Sequence, residues 1–457
     1  MTAYVCDLAL LPGGKVASDV VVEVADGRFT RVAVGGHAPA RARRLAGLVL
    51  PGLADAHSHA FHRALRGRTH TGRGSFWTWR EQMYAIAGRL TPDTYLSLAR
   101  AAFAEGVLAG FTTVGEFHYL HHAPDGTPYD DANAMGHALV QAAREAGIRL
   151  TLLDACYLTG GVSDDLSRGG LVQPLTGTQV RFGDGDADGW ATRAEALASA
   201  HAAADDVVVG AAVHSVRAVP VDALGAVAGW AADHGAPVHA HVSEQPAENE
   251  ACHAIHATTP SQLLYDHGLL GERFTAVHAT HVTPEDLTVL GQTRSTVCLC
   301  PTTERDLADG IGPARAMLEA GIRLAFGSDS RAVVDPFEEA RAAELDTRLL
   351  TLQRGVLTVE DLATALTVDG HACLGWADAG RIAEGARADL VAVRLDSVRT
   401  AGADAASALD TALYAAAAPD VTDVVVGGRE VVRDGQHVLG DVGRLLADAI
   451  ASVVEET

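Results

Sequence analysis

Eight short apolar runs, each bounded by a turn or a helix start, constrain this chain more than any other feature. The first, 48–53, leads into His57 and His59, and the others span 111–117, 150–157, 207–214, 237–242, 274–278, 296–300 and 323–327. Continuous apolar runs are what parallel strands buried on both faces look like. Between them lie Ala-rich stretches with helix starts, such as Thr91-Pro92 and Thr283-Pro284, a capping hydroxyl followed by proline at the first helical position. Eight strand–helix alternations predict an α/β chain folded as a (β/α)8 TIM-like barrel. A doubly wound open sheet is the other solution, but no Gly-x-Gly-x-x-Gly follows the first run.

The two ends read differently. Runs 4–11, 19–24 and 28–34, separated by Pro12-Gly13-Gly14 and Asp26-Gly27, form a meander, and 388–394 and 424–432, with Gly427-Gly428 at a hairpin position, read the same way. The two ends are therefore expected to pair into one small β-sandwich domain. The expected division is 1–49 and 377–457, with a terminal helix, for that domain and 50–376 for the barrel. Residues 160–189, rich in Gly, Asp and Ser, read as a long loop after the third strand.

In a barrel, chemistry belongs at the C-terminal ends of the strands, and the polar residues fall there. The first strand ends in His57-Ser58-His59, the fourth in His214-Ser215-Val216-Arg217, and the fifth in His239-Ala240-His241-Val242-Ser243-Glu244. The sixth ends in His278-Ala279-Thr280-His281 and the eighth in Ser328-Asp329-Ser330. Side chains alternate faces along a strand, so His57 and His59 point the same way. A single buried histidine is usually just hydrogen-bonded; polar groups at five strand ends on one level of a barrel are not so easily explained. His57, His59, His241 and Asp329 together offer three imidazoles and a carboxylate, a set that suits one Zn2+ or Fe2+ with a position left for water. Glu244 and His278 lie beside it as proton carriers, since hydrolysis at a C=N carbon needs a base for water and an acid for the departing nitrogen.

Composition narrows the chemistry. Lys15, in a Gly-Gly turn, is the only lysine, so Schiff-base chemistry, a P-loop lysine and a carbamylated-lysine bridge between two metals are all disfavoured, and one divalent ion is expected. The net charge of −23 argues against nucleic acid or an anionic membrane surface as partner. The start of the chain lacks a basic stretch followed by an apolar core, and no run reaches the ~18 apolar residues of a span, so a cytoplasmic location is expected. Cys6, Cys156, Cys252, Cys298, Cys300 and Cys373 follow no framework spacing and read as buried reduced thiols.

These motifs resemble the amidohydrolase superfamily, in its mononuclear deaminase branch: Pro51-Gly52-Leu53-Ala54-Asp55-Ala56-His57-Ser58-His59, His241-x-x-Glu244, His278, Ser328-Asp329 and the tail Gly380 to Val391. Within the branch, the 75–81 stretch Ser-Phe-Trp-Thr-Trp-Arg-Glu, Glu116-Phe117-His118-Tyr119, His214-Ser215-Val216-Arg217 and Asp309-Gly310-Ile311 are similar to the deiminases of N-formimino-L-glutamate. The resemblance implies hydrolysis of that compound to N-formyl-L-glutamate and ammonia, as in histidine degradation, through hydroxide generated at the metal, with Zn2+ expected and Fe2+ possible. It implies metal ligation by His57, His59, His241 and Asp329, proton handling by Glu244, His278 and Asp329, and substrate contacts from Arg80, Tyr119, His214 and Arg217. His62, also expected at the substrate, stands where the family carries glutamine. A dicarboxylate fits Arg80 and Arg217 independently, because a guanidinium grips a carboxylate bidentately. A homodimer is expected. The competing readings are a deaminase of a purine or other cyclic amidine, an imidazolonepropionase, and a scaffold that has lost its activity.

Overall fold

The computed structural model describes residues 2–70, 76–162 and 172–454. The chain opens with β1 (Thr2–Leu11), β2 (Lys15–Ala25) and β3 (Arg28–Val34), an antiparallel meander through the two predicted turns. β4 (Arg43–Pro51) then runs parallel to β1. The barrel strands are β5 (Leu53–Ser58), β6 (Phe111–His118), β7 (Arg149–Cys156), β10 (Val207–Val213), β11 (Val238–Val242), β12 (Phe274–His278), β13 (Thr296–Leu299) and β14 (Arg323–Phe326), with β8 (Gly161–Val162) and β9 (Val172–Gln173) as a small ladder outside them. Four strands follow: β15 (Leu390–Val393), β16 (Val421–Val426), β17 (Arg429–Arg433) and β18 (Gln436–His437).

Seven of the eight predicted runs, together with β5 at the end of the first, form one sheet ordered β14-β13-β12-β11-β10-β7-β6-β5, parallel throughout. It closes through a bridge between Ser58 and Asp329, where the His59 amide donates to Asp329 O at 3.1 Å and the Asp329 amide to His57 O at 2.9 Å. Two features tighten this seam. Asp55 accepts from the amide of Ser328 at 2.8 Å and from its hydroxyl at 2.6 Å. Gly327 is obligatory, because a Cβ there would sit 2.8 Å from the Cβ of His57. The predicted helix starts also form, Thr91 and Thr283 each capping with proline at the next position. The barrel interior is filled by small side chains, Ala56, Cys298 and Ala325 among them, with Leu374 and Trp376 packed against them. All six cysteines are buried free thiols.

Both ends of the chain meet in the second sheet, ordered β18-β17-β16-β15-β4-β1-β2-β3. It has a core of its own, drawn from Tyr4, Val20, Val22 and Leu45 at one end and Leu390 and Val425 at the other. Here the structure departs from the apparent continuity of the 48–53 run. Its first part belongs to β4 in the small sheet and its last residue opens β5 in the barrel, and the run looked continuous because both halves are buried. Gly52 makes the crossing, its amide donating to Asp389 O at 3.1 Å, where any side chain would collide with Thr112 and Asp389. Arg149 at the start of β7 joins the two sheets through a buried bidentate pair with Asp389, at 2.8 and 3.2 Å.

The described residues of the 160–189 segment are not all loop. Its described residues include β8, β9, a 3-10 turn at Gly177–Arg181, and a helix, Ala187–His201, capped by Asp186 accepting from the Gly189 amide at 2.8 Å. Polar composition masked these elements because their capping residues are the Asp and Thr that also populate loops. Among the described residues, no helix is long and apolar enough to cross a membrane.

Candidate active site

The strand ends deliver their polar groups to one point above the barrel axis. His57 Nε2 lies 3.3 Å and His59 Nε2 3.4 Å from the same Asp329 oxygen, and His241 Nε2 lies 3.2 Å from His57 Nε2. All four residues are buried. The backbone reaches this arrangement at a cost: Ser243, His278, Ala279, Asp329 and Arg331, all at or just after the ends of barrel strands, have φ between 39° and 67°, the left-handed region that residues other than glycine seldom enter.

Hydrogen bonds fix which nitrogens face inward. His59 Nδ1 donates to Phe117 O at 3.0 Å and His241 Nδ1 to His214 O at 2.8 Å. A carbonyl can only accept, so each Nδ1 carries the proton and each Nε2 turns a lone pair to the centre. That is how ligating histidines are held by their outer partners. Burial lowers the pKa of His57, His59 and His241, keeping them neutral as ligation requires. Burial alone would raise the Asp329 pKa, but the neighbouring imidazoles, His57 first, hold it below the ordinary carboxylate range. Lone pairs packed this closely, with a carboxylate among them, are a donor set that one divalent cation satisfies.

Beside this cluster His278 sits among carboxylates. Its Nε2 is 3.8 Å from Glu244 and 3.8 Å from Asp329, and its Nδ1 is 3.4 Å from Glu304. Burial works against a charge on this ring, but Glu244, Glu304 and Asp329 outweigh it and raise its pKa. Glu244 is pushed up to about 7, chiefly by burial. Glu244 thus has a proton affinity in the working range for proton transfer.

The cleft over the cluster is lined by every predicted site residue except His57, which lies beneath it. Arg80, on the helix Phe76–Ala87, donates to Tyr84 OH at 2.6 Å, stacks over the Tyr84 ring and has Tyr157 as a second phenolic neighbour. Arg217, after β10, lines the same cleft and is backed by the buried Glu248 at 3.6 Å. His62 meets Tyr119 OH at 3.1 Å. The His214 ring packs on Tyr157 with centroids 4.4 Å apart. His239 shares the parity of His241 but lies deeper, its Nε2 at 3.1 Å from Cys373 O, and takes no part in the cluster.

Sequence reasoning missed Glu304, Glu248, Tyr84 and Tyr157. A carboxylate four residues after Cys300 and another four after Glu244 were the available signals, and both look like ordinary helix-start acids. In the described part of the basic stretch from His62 to Arg73, two of the arginines are paired with a carboxylate. Arg63 and Arg66 pair with Glu105 at 2.8 and 2.7 Å, and His70 lies 3.4 Å from Asp306. Arg73 and Ser75 fall outside the described residues, as do the side chains of Phe76 and Trp77.

Comparison with known proteins agrees with this geometry. The model of the Amidohydrolase family matches residues 48–431. The chain is 37% identical over 449 residues to formimidoylglutamate deiminase from Pseudomonas aeruginosa, covering 96% of each chain. It is 29% identical to 8-oxoguanine deaminase from the same organism, over 95% of this chain and 94% of that one. A crystal structure of an amidohydrolase from Brucella melitensis superposes with a TM-score of 0.90 at 32% identity, covering 99% of this chain and all of that one.

Proposed function

The chain belongs to the amidohydrolase family and is a hydrolase acting on C–N bonds, and from that premise we propose that it deiminates N-formimino-L-glutamate, giving N-formyl-L-glutamate and ammonia. The observation that carries the proposal is the pair of guanidiniums, Arg80 and Arg217, held on separate segments over one buried His/Asp cluster. Two such groups suit a substrate with two carboxylates. The likeness to the Pseudomonas deiminase supports the same substrate.

His57, His59, His241 and Asp329 would hold the ion, and their nitrogen-rich set favours Zn2+, with Fe2+ as the alternative. Bound there, a divalent ion supplies Lewis acidity and a water whose pKa falls towards ~7. The chain's own groups do the rest. Arg80 and Arg217 grip the carboxylates, while His62, Tyr119 and His214 shape the wall against the chain between them. His278 and Asp329 orient the water and take its proton as it adds to the formimino carbon. Glu244, with its pKa of about 7, carries a proton to the nitrogen that leaves as ammonia.

A second reading has an observation of its own: Tyr119, Tyr157 and Phe182 form an aromatic wall in the cleft, which suits a ring such as a purine. Ammonia release separates the two. Purified protein of known metal content is expected to act on N-formimino-L-glutamate and not on guanine or N-formimino-L-aspartate. Release from guanine alone replaces the dicarboxylate reading with the ring reading. In the same assay Arg217→Met is expected to lower kcat/KM by about 10–100-fold, mostly through KM, the worth of a charged hydrogen bond.

A further inference from the structure

We propose that Glu304 is a positioning residue that sets the ring orientation and tautomer of His278. The inference rests on His278 handling protons in the hydrolysis but not on which amidine is hydrolysed. His278 is the last residue of β12, paired with Val242, and takes a φ of 67°, with Ala279 following at 51°; two consecutive left-handed residues strain the backbone where the strand hands the ring to the site. On its Nε2 side no hydrogen bond from the described residues holds it: Glu244 and Asp329 both stand at 3.8 Å, beyond hydrogen-bond reach. The close polar contact of the ring is Nδ1 with Glu304 Oε1 at 3.4 Å.

Glu304 is itself fixed. It is buried, and the same oxygen accepts the Cys300 amide at 2.8 Å, which ties the carboxylate to the end of β13. An ionised carboxylate only accepts, so Nδ1 keeps its proton and Nε2 becomes the position that exchanges protons with water and Glu244. Remove the carboxylate, and the ring is free to turn over and to carry its proton on either nitrogen.

The competing assignment is that Glu304 serves only the Cys300 amide. The metal-loaded Glu304→Ala variant decides between them. Positioning predicts kcat about 100-fold lower, KM within about threefold of the parent, and unchanged metal content. It also predicts that added formate, a carboxylate small enough for the vacated space, restores kcat at least tenfold. A kcat within threefold of the parent overturns the proposal, as does a loss that formate does not reverse or that follows loss of metal. Should the alanine variant not fold, Glu304→Asp, which keeps the charge but draws it back from the ring, must show the same kcat-specific loss. The assay uses whichever amidine the parent protein hydrolyses. Failure on N-formimino-L-glutamate with turnover of another amidine therefore overturns the substrate reading alone, and turnover of none overturns both.

Discussion

Replacing His278 by alanine is expected to lower kcat by ~10³-fold or more while the purified protein keeps its metal. General acid–base groups contribute ~10²–10⁴-fold, and His278 sits where both proton carriers meet, 3.8 Å from Glu244 and 3.8 Å from Asp329. Its ring is not one of those whose Nδ1 is tied to a backbone carbonyl to free Nε2 for the centre, as in His59 and His241. Steady-state kinetics alongside elemental analysis separates the roles. Loss of activity with metal retained fits proton transfer; loss of both would make His278 a ligand, and near-normal activity would remove it from the chemistry.

Stripping the protein with a chelator is expected to abolish activity, and adding back Zn2+ or Fe2+ to restore it. Stability should fall with the metal: a ligand present at a thousand times its Kd stabilises the folded state by about 4 kcal/mol, so the apo protein should melt several degrees lower. The pH dependence of retention has a definite sign. Metal is lost when protons compete for the imidazoles, and burial places His57, His59 and His241 below the ordinary pKa of 6.5. The ion should therefore stay bound as pH falls through 6.5 and leave only in more acidic solution. Dialysis at stepped pH followed by elemental analysis checks this, and release near pH 6.5 would show that the imidazoles titrate as exposed histidines do. If chelation leaves turnover intact, the cluster is structural and the metal-dependent mechanism fails.

The barrel was legible because its signal is physical and repeated: a strand covered on both faces must be apolar along its whole length, and eight such runs appear in order. His57 and His59 were legible through strand parity, and His241, His278 and Asp329 through their position at strand ends. What stayed hidden depends on partners distant in the chain. Nothing near Glu304 announces that it will face His278, since the contact arises only when β12 and β13 lie side by side. Glu248 reads as one more acid in the first turn of the helix Pro246–His256 until Arg217 arrives over it. Gly52 and the split of the 48–53 run were hidden for the opposite reason, because two different sheets impose the same apolar demand on consecutive residues.

The small sheet has a consequence for how the molecule is made. β4 pairs with β1 on one side and with β15 on the other, and β15 lies beyond the entire barrel in the chain. A ribosome adding ~5–20 residues per second therefore leaves the β4 edge unpaired for on the order of tens of seconds after it emerges. During that interval the edge carries Leu48, Val49 and Leu50, side chains that end up fully covered, and an open apolar edge is a template for pairing with other chains. Slow synthesis or a stall within the barrel-coding region should thus divert nascent chains into aggregates, whereas chains released in full can complete the sheet at once.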